Sequence, residues 1–204
     1  MTCGAQPTVW VVDDDAGVRR SLKRLLGVLG YAVETFGSAE QLLGRPAPDG
    51  PACVVLDVRM PRMTGPQLFE RMEACGLAMP VVFLTGFGDV PTGVRAMKHG
   101  AVDFLLKPVD GDALRRAVED ALARDAARLA RAQEMAAIRE RLRDLSPRER
   151  QVLADVVRGL PNKLTAADLG ISEKTVKVHR HRIMAKTGAS SLAELVRLVD
   201  AGGL

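Results

Sequence analysis

A chain of 204 residues, 47% hydrophobic and 26% charged, has the make-up of an ordinary soluble globular protein with one large or two small domains, and at 3% aromatic its cores have to be aliphatic. Its net charge of +4 is uneven: residues 1–125 hold 14 Lys and Arg against 16 Asp and Glu, whereas residues 126–204 hold 15 against 9, so only the back of the chain is suited to a polyanion. No stretch is apolar enough to span a bilayer, the N-terminus lacks a signal peptide's basic start and hydrophobic core, and Cys3, Cys53 and Cys75 fit neither a zinc pattern nor a disulfide framework; this argues against a membrane protein and for a reducing, cytoplasmic setting.

Short apolar runs alternate with helical patterns through the first half. Thr8–Val12 reads as a strand, and Val18, Leu22, Leu25, Leu26 and Leu29 mark a helix that ends at Gly30, with Asp15 as its cap. A strand over Tyr31–Phe36, a short helix around Ser38–Leu43, a Pro/Gly loop over Pro46–Pro51 and a strand over Ala52–Leu56 follow, with Cys53 as a buried thiol. Next come a helix over Gln67–Cys75, a strand over Val81–Leu84, a helix near Pro91–His99 and a strand over Val102–Leu106. Five strands alternating with helices predict an α/β domain with a doubly wound parallel sheet and right-handed crossovers.

From Gly111 one long Ala/Arg-rich helix reaches about Arg143, supported by an Asp120–Arg124 pair. Met135, Ile138, Leu142 and Leu145 follow 3-4-3 spacing without sustained heptads, which favours plain packing over a coiled-coil seam. An all-helical unit then opens on the capping box Ser146-Pro147-Arg148-Glu149. Its first helix runs to about Arg158, Gly159–Asn162 breaks it, a short helix reaches Leu169, Gly170 turns the chain, Ser172 caps a helix to about Thr187, and a last helix covers Ser191–Asp200.

In open parallel sheets, ligands sit beyond the carboxyl ends of the strands. There the order of apolar runs places Asp13 and Asp14 after the first strand, Asp57 after the third, Thr85 after the fourth and Lys107 after the fifth. Converging carboxylates repel unless a hard cation intervenes, and Mg²⁺ suits oxygen ligands shared with water and phosphate. Any one Asp after a strand is ordinarily a turn former or cap. The combination at four strand ends is what points to an acidic pocket in which Thr85 can donate to a phosphoryl oxygen and Lys107 can supply a positive charge.

The segments Val11–Asp15, Leu56–Gly65, Leu84–Gly86 and Asp103–Pro108, in that order, resemble the receiver domain of bacterial two-component response regulators, with Phe83–Lys107 most like the FixJ-type subgroup. The resemblance implies a flavodoxin-like receiver over residues 1–122 whose Asp57 accepts a phosphoryl group from a sensor histidine kinase. It further implies that Asp13, Asp14, Asp57 and the Arg59 backbone carbonyl bind Mg²⁺, that Thr85 and Lys107 contact the phosphoryl, and that Phe104 is the switch aromatic. An aspartyl nucleophile is also used by acyl-phosphate hydrolases, but no dedicated second acid or base for turnover is present, so slow self-dephosphorylation is the most enzymatic behaviour expected. Leu145–Glu149, Gly159–Lys163, Leu169–Ser172 and Thr175–Arg180 resemble the LuxR-type helix-turn-helix of the NarL/FixJ family, implying a DNA-binding domain over residues 145–204 joined by a helical linker, residues 123–144. Where the family commonly has an apolar residue, this chain has Thr165, a change that can loosen the packing of this helix, although a buried Thr can also bond back to the preceding turn.

The basic helix from Ser172 suits the major groove. The resemblance makes Lys177, Val178 and His181 the base-facing set, with Lys174, Thr175, Arg180, Arg182 and Lys186 as phosphate contacts, and His179 as a structural residue. It also implies homodimerisation on phosphorylation through the Val90–Phe104 face, binding to double-stranded promoter DNA, and contact with RNA polymerase.

Overall fold

The computed structural model describes residues 6–86 and 100–202. The helix expected near Pro91–His99, and with it most of the Val90–Phe104 face, lies outside the described residues. Among those described, the order is β1 Thr8–Val12, α1 Ala16–Val28, β2 Ala32–Phe36, α2 Ala39–Leu43, β3 Ala52–Asp57, α3 Gly65–Ala74, β4 Val81–Thr85 and β5 Asp103–Leu106. The helices α4 Gly111–Arg143, α5 Pro147–Val157, α6 Asn162–Leu169, α7 Glu173–Thr187 and α8 Leu192–Gly202 follow. The chain divides into two compact units, Met1–Leu129 and Ala130–Leu204. No described helix is long and apolar enough to cross a membrane.

In the first unit the strands pair in parallel in the order β2-β1-β3-β4-β5. The β3 and β4 strands are buried at every position, which is why they read as unbroken apolar runs rather than alternating ones. Alternate strand residues feed two cores on opposite faces of the sheet. One contains Trp10, Phe36, Val54, Leu56, Leu68 and Phe83, with Trp10 and Phe36 meeting edge to face at 5.1 Å. The other contains Val9, Val11, Leu26, Val55, Leu84 and Leu114. Cys53 lies in the second core, where burial pushes its thiol up to about 12 and leaves it unreactive.

Local chemistry sets the helix ends. Asp15 caps α1 by accepting the Gly17 and Val18 amides, which holds its carboxyl below the ordinary range. α3 begins earlier than the apolar spacing suggests, because Thr64 and Gln67 form a capping box around Pro66. Gly65, the first residue of that helix, is seated directly on β3: a Cβ there would lie 2.3 Å from the Asp57 carbonyl oxygen. Asp125 is buried on α4, accepting the Ala52 amide at 2.9 Å and the Arg128 Nε at 2.8 Å, and so ties α4 to the start of β3. The first unit therefore runs past residue 122 into the stretch expected as linker.

In the second unit Met135, Ile138, Leu142 and Leu145 pack with Val152, Val176, Ile183 and Leu195 in one core. This is the plain-packing reading of their spacing. A Cβ on Gly202 of α8 would come 2.5 Å from Leu142 Cδ1, so the end of α4 is an integral wall of this unit. The Ser146–Glu149 capping box forms as expected, and Gly170, at φ 64°, makes the left-handed turn into α7. Thr165 is fully buried, and its hydroxyl has no hydrogen-bond partner among the described residues, so of the two possibilities the bond back to the preceding turn does not form.

Candidate functional site

Strand register builds the pocket. Val12 pairs with Leu56, Asp57 with Leu84, and Thr85 with Leu106, so Asp13, Asp57, Thr85 and Lys107 come at or just past the ends of neighbouring strands. The ladder is extended by Val58 N–H donating to Leu84 O at 2.9 Å and Lys107 N–H donating to Thr85 O at 2.7 Å. Carboxylate oxygens of Asp13, Asp14 and Asp57 lie within 4.8 Å of one another, with Asp13 and Asp57 buried and Asp14 exposed. Such an oxygen cluster, buried on one side and open on the other, fits a hard divalent cation.

Lys107 Nζ sits between the two buried carboxylates, 2.6 Å from Asp13 Oδ2 and 2.6 Å from Asp57 Oδ1. The other Asp57 oxygen accepts the Arg59 backbone N–H at 3.0 Å. Burial raises the Asp57 carboxyl above its ordinary 3.8, against the opposing pull of Lys107. For Lys107 burial acts downward, but hydrogen bonds to Asp13 and Asp57 outweigh it and the ammonium is held above its ordinary value. Among the described residues the site thus gathers three carboxylates around the Lys107 ammonium. Thr85 is buried at the end of β4, its hydroxyl donating to Gly86 O at 3.3 Å. Phe104 is partly buried and packs against the Trp10–Phe83 core.

In the second unit, α7 shows two faces. Val176, Ile183 and Thr187 are buried. Lys174, Lys177, Val178 and His181 form an exposed stripe at helical spacing, with Arg182 beside it. The other three residues expected on the DNA side have partners within the unit. Thr175 Oγ1 lies 2.8 Å from Ser172 Oγ, as part of the helix cap. Arg180 donates to Asn162 Oδ1 at 3.0 Å. Lys186 donates to Glu149 Oε2 at 2.8 Å and to Asp144 O at 2.9 Å, and its hydrogen bond, with that of the Ser146 amide, holds buried Glu149 down to about 2. The resemblance marked these three as phosphate contacts; the partners they meet within the unit were not visible in the spacing. His179 is partly buried, with Nδ1 unpartnered among the described residues.

Residues 9–119 match the family model "Response regulator receiver domain", and residues 143–199 match "Bacterial regulatory proteins, luxR family". The chain is 47% identical over 197 residues to the transcriptional regulatory protein FixJ of Rhizobium meliloti, covering 96% of each chain. It is 43% identical over 196 residues to nodulation protein W of Bradyrhizobium diazoefficiens, covering 96% of this chain and 86% of that one. The solved structure of the response regulator StyR is 47% identical, with a TM-score of 0.84 over 96% of this chain and 99% of that one. The chain therefore belongs to the two-component response regulators that join a receiver domain to a LuxR-type DNA-binding domain and control transcription.

Proposed function

We propose that this response regulator accepts a phosphoryl group on Asp57 from a sensor histidine kinase, dimerises, and binds promoter DNA in the cytoplasm to act on RNA polymerase. The observation that carries the reading is the seating of Asp57: buried, beside Asp13 and Asp14, with one oxygen on Lys107 Nζ and the other on the Arg59 amide. In the transfer, an Asp57 oxygen forms the new P–O bond while the P–N bond of the kinase phosphohistidine breaks and its electron pair returns to the imidazole nitrogen. Asp13, Asp14, Asp57 and the Arg59 carbonyl would hold Mg²⁺, which when bound supplies the positive charge that lets a phosphoryl approach this acidic pocket. Lys107, already bridging two carboxylates, is the cation available to a phosphoryl oxygen, and Thr85 offers the hydroxyl beside it.

Phe104, on the strand that carries Lys107, is the aromatic that would follow Thr85 on phosphorylation and alter the Val90–Phe104 face through which two copies associate. Phosphorylation can favour that state only by as much as the phosphoryl binds it better. On DNA, Lys177, Val178 and His181 would meet base edges, with Lys174 and Arg182 at the backbone. The test is molar mass by size exclusion, and promoter-DNA affinity, with and without acetyl phosphate and Mg²⁺, for wild type and Asp57→Ala. The expected result is a rise in dimer content and affinity in wild type only. Equal DNA binding by both proteins in every condition would show that the pocket does not control this output.

A further inference from the structure

We propose that Arg180 is a positioning residue of the recognition helix, setting the angle of α7 against α6, and not one of its phosphate contacts; the inference rests on the DNA-reading function proposed above. Arg180 follows Val176 by one helical turn and precedes Ile183 and Thr187 on the same inward row. It is partly buried, whereas Lys174, Lys177, Val178, His181 and Arg182 are exposed. Arg180 lines a groove together with Val156, Ile183, Met184, Leu192 and Leu195, so apolar residues of α5 and α8 share it. Its guanidinium NH1 donates to Asn162 Oδ1 at 3.0 Å, eighteen positions away at the first residue of α6. α6 has no side-chain cap, since Pro161 occupies that position and carries no hydroxyl or carboxylate to bond the helix start.

The Arg180–Asn162 bond therefore links the unsupported start of the first helix of the helix-turn-helix to the middle of the second. In such a motif the first helix crosses the DNA backbone while the second reads base edges. The relative angle of the two then decides whether Lys177, Val178 and His181 reach their bases while α6 lies on the phosphates. A contact that sets this angle acts on the preference for one sequence over another. A phosphate contact acts on all sequences alike and contributes to the salt dependence.

That difference supplies the experiment. A preferred duplex is selected from a random-sequence library with the full-length wild-type protein treated with acetyl phosphate and Mg²⁺. Affinity for that duplex and for a random-sequence duplex is then measured across a salt series for wild type, Arg180→Gln, Asn162→Ala, the double variant and Asn162→Asp, with circular dichroism confirming folding. Arg180→Gln is expected to lower the preference for the selected duplex about tenfold, the scale of one charge-assisted hydrogen bond, while leaving the salt slope on random duplex unchanged. Asn162→Ala should lower it similarly, and the double variant no further than either single one. Asn162→Asp, which keeps an acceptor for the guanidinium, should retain the wild-type preference.

The proposal is overturned if Arg180→Gln reduces the salt slope by about 0.9, the loss of one phosphate contact, or if Asn162→Ala leaves the preference intact. Should Arg180→Gln fail to fold, Asn162→Ala and Asn162→Asp decide the question from the other side of the bond. If wild type enriches no sequence at all, the DNA-reading function itself falls, and this inference with it.

Discussion

Replacing Gly65 with alanine probes how closely α3 is seated on β3, the strand that ends in Asp57. The constraint at Gly65 is room: an added Cβ would stand 2.3 Å from the Asp57 carbonyl oxygen and 3.1 Å from the Asp57 carbonyl carbon and the Val58 Cα. Reaching ordinary contact distance requires the helix start and the strand end to separate by about 1 Å. That movement also strains the Gly65 N–H bond to Val58 O, now 3.0 Å. Overpacking of this kind costs about 1–3 kcal/mol. We expect Gly65→Ala to lose about 2 kcal/mol in urea unfolding followed by the fluorescence of Trp10, the single tryptophan. Acetyl phosphate should also label it more slowly, by about 10–100-fold, since the displaced atoms belong to Asp57 itself. Gly27→Ala is the matched control. Gly27 is exposed inside α1 with nothing within 4 Å of the added carbon, so alanine should stabilise by about 0.5–1 kcal/mol. A Gly65→Ala protein with wild-type urea midpoint and wild-type labelling rate would refute the reasoning.

Lys107→Met removes the ammonium that lies 2.6 Å from both Asp13 and Asp57, so divalent-metal affinity, read by titrating Trp10 fluorescence with Mg²⁺, should tighten several-fold while phosphoryl-dependent DNA binding is lost; unchanged metal affinity would show that Lys107 does not compete for the pocket. Glu149, ordinarily near 4.5 and held to about 2, stabilises the second unit fully above its unfolded value, and that stabilisation fades as pH falls from about 4.5 to about 2. Lys186→Met, which removes the largest cause of the depression, should lower the melting temperature of residues 130–204 at pH 7 and flatten its fall between pH 5 and 3. Thr165→Val replaces a buried hydroxyl, unpartnered among the described residues, with a methyl and should raise stability by about 1 kcal/mol in urea; a loss would mean the hydroxyl has a partner after all.

The residues legible in the sequence were those whose chemistry sits at an abrupt end of an apolar run. Asp13, Asp57, Thr85 and Lys107 could be placed together because parallel strands start and stop in register, so a strand end is also a spatial address. Gly65 carried no such signal, since a close approach of backbone to backbone leaves no pattern in neighbouring residues. On α7 the 3.6-residue period separates buried Val176 and Ile183 from exposed Lys177 and Val178, but it cannot reveal that Asn162 or Glu149 stands opposite Arg180 and Lys186. Periodicity reports which side of a helix faces inward; the partner waiting there comes from a different segment, at a distance set by packing. Asp125 was missed for the same reason: its partner is a backbone amide of β3, and any residue supplies one.

Strand order also gives the receiver sheet a gradient of stiffness. β3, which ends in Asp57, lies at the centre with both edges bonded and every residue buried. β5, which leads into Lys107, is at the margin of the described sheet, four residues long and partly exposed throughout. Amide hydrogens of β3 should therefore exchange with solvent only when the whole unit unfolds, while those of β5 exchange through small local openings that cost far less. Asp57 stands at the end of a central, fully buried strand and Lys107 follows a short, partly exposed one at the margin of the described sheet, so the pocket can loosen on the lysine side while the aspartate stays in place.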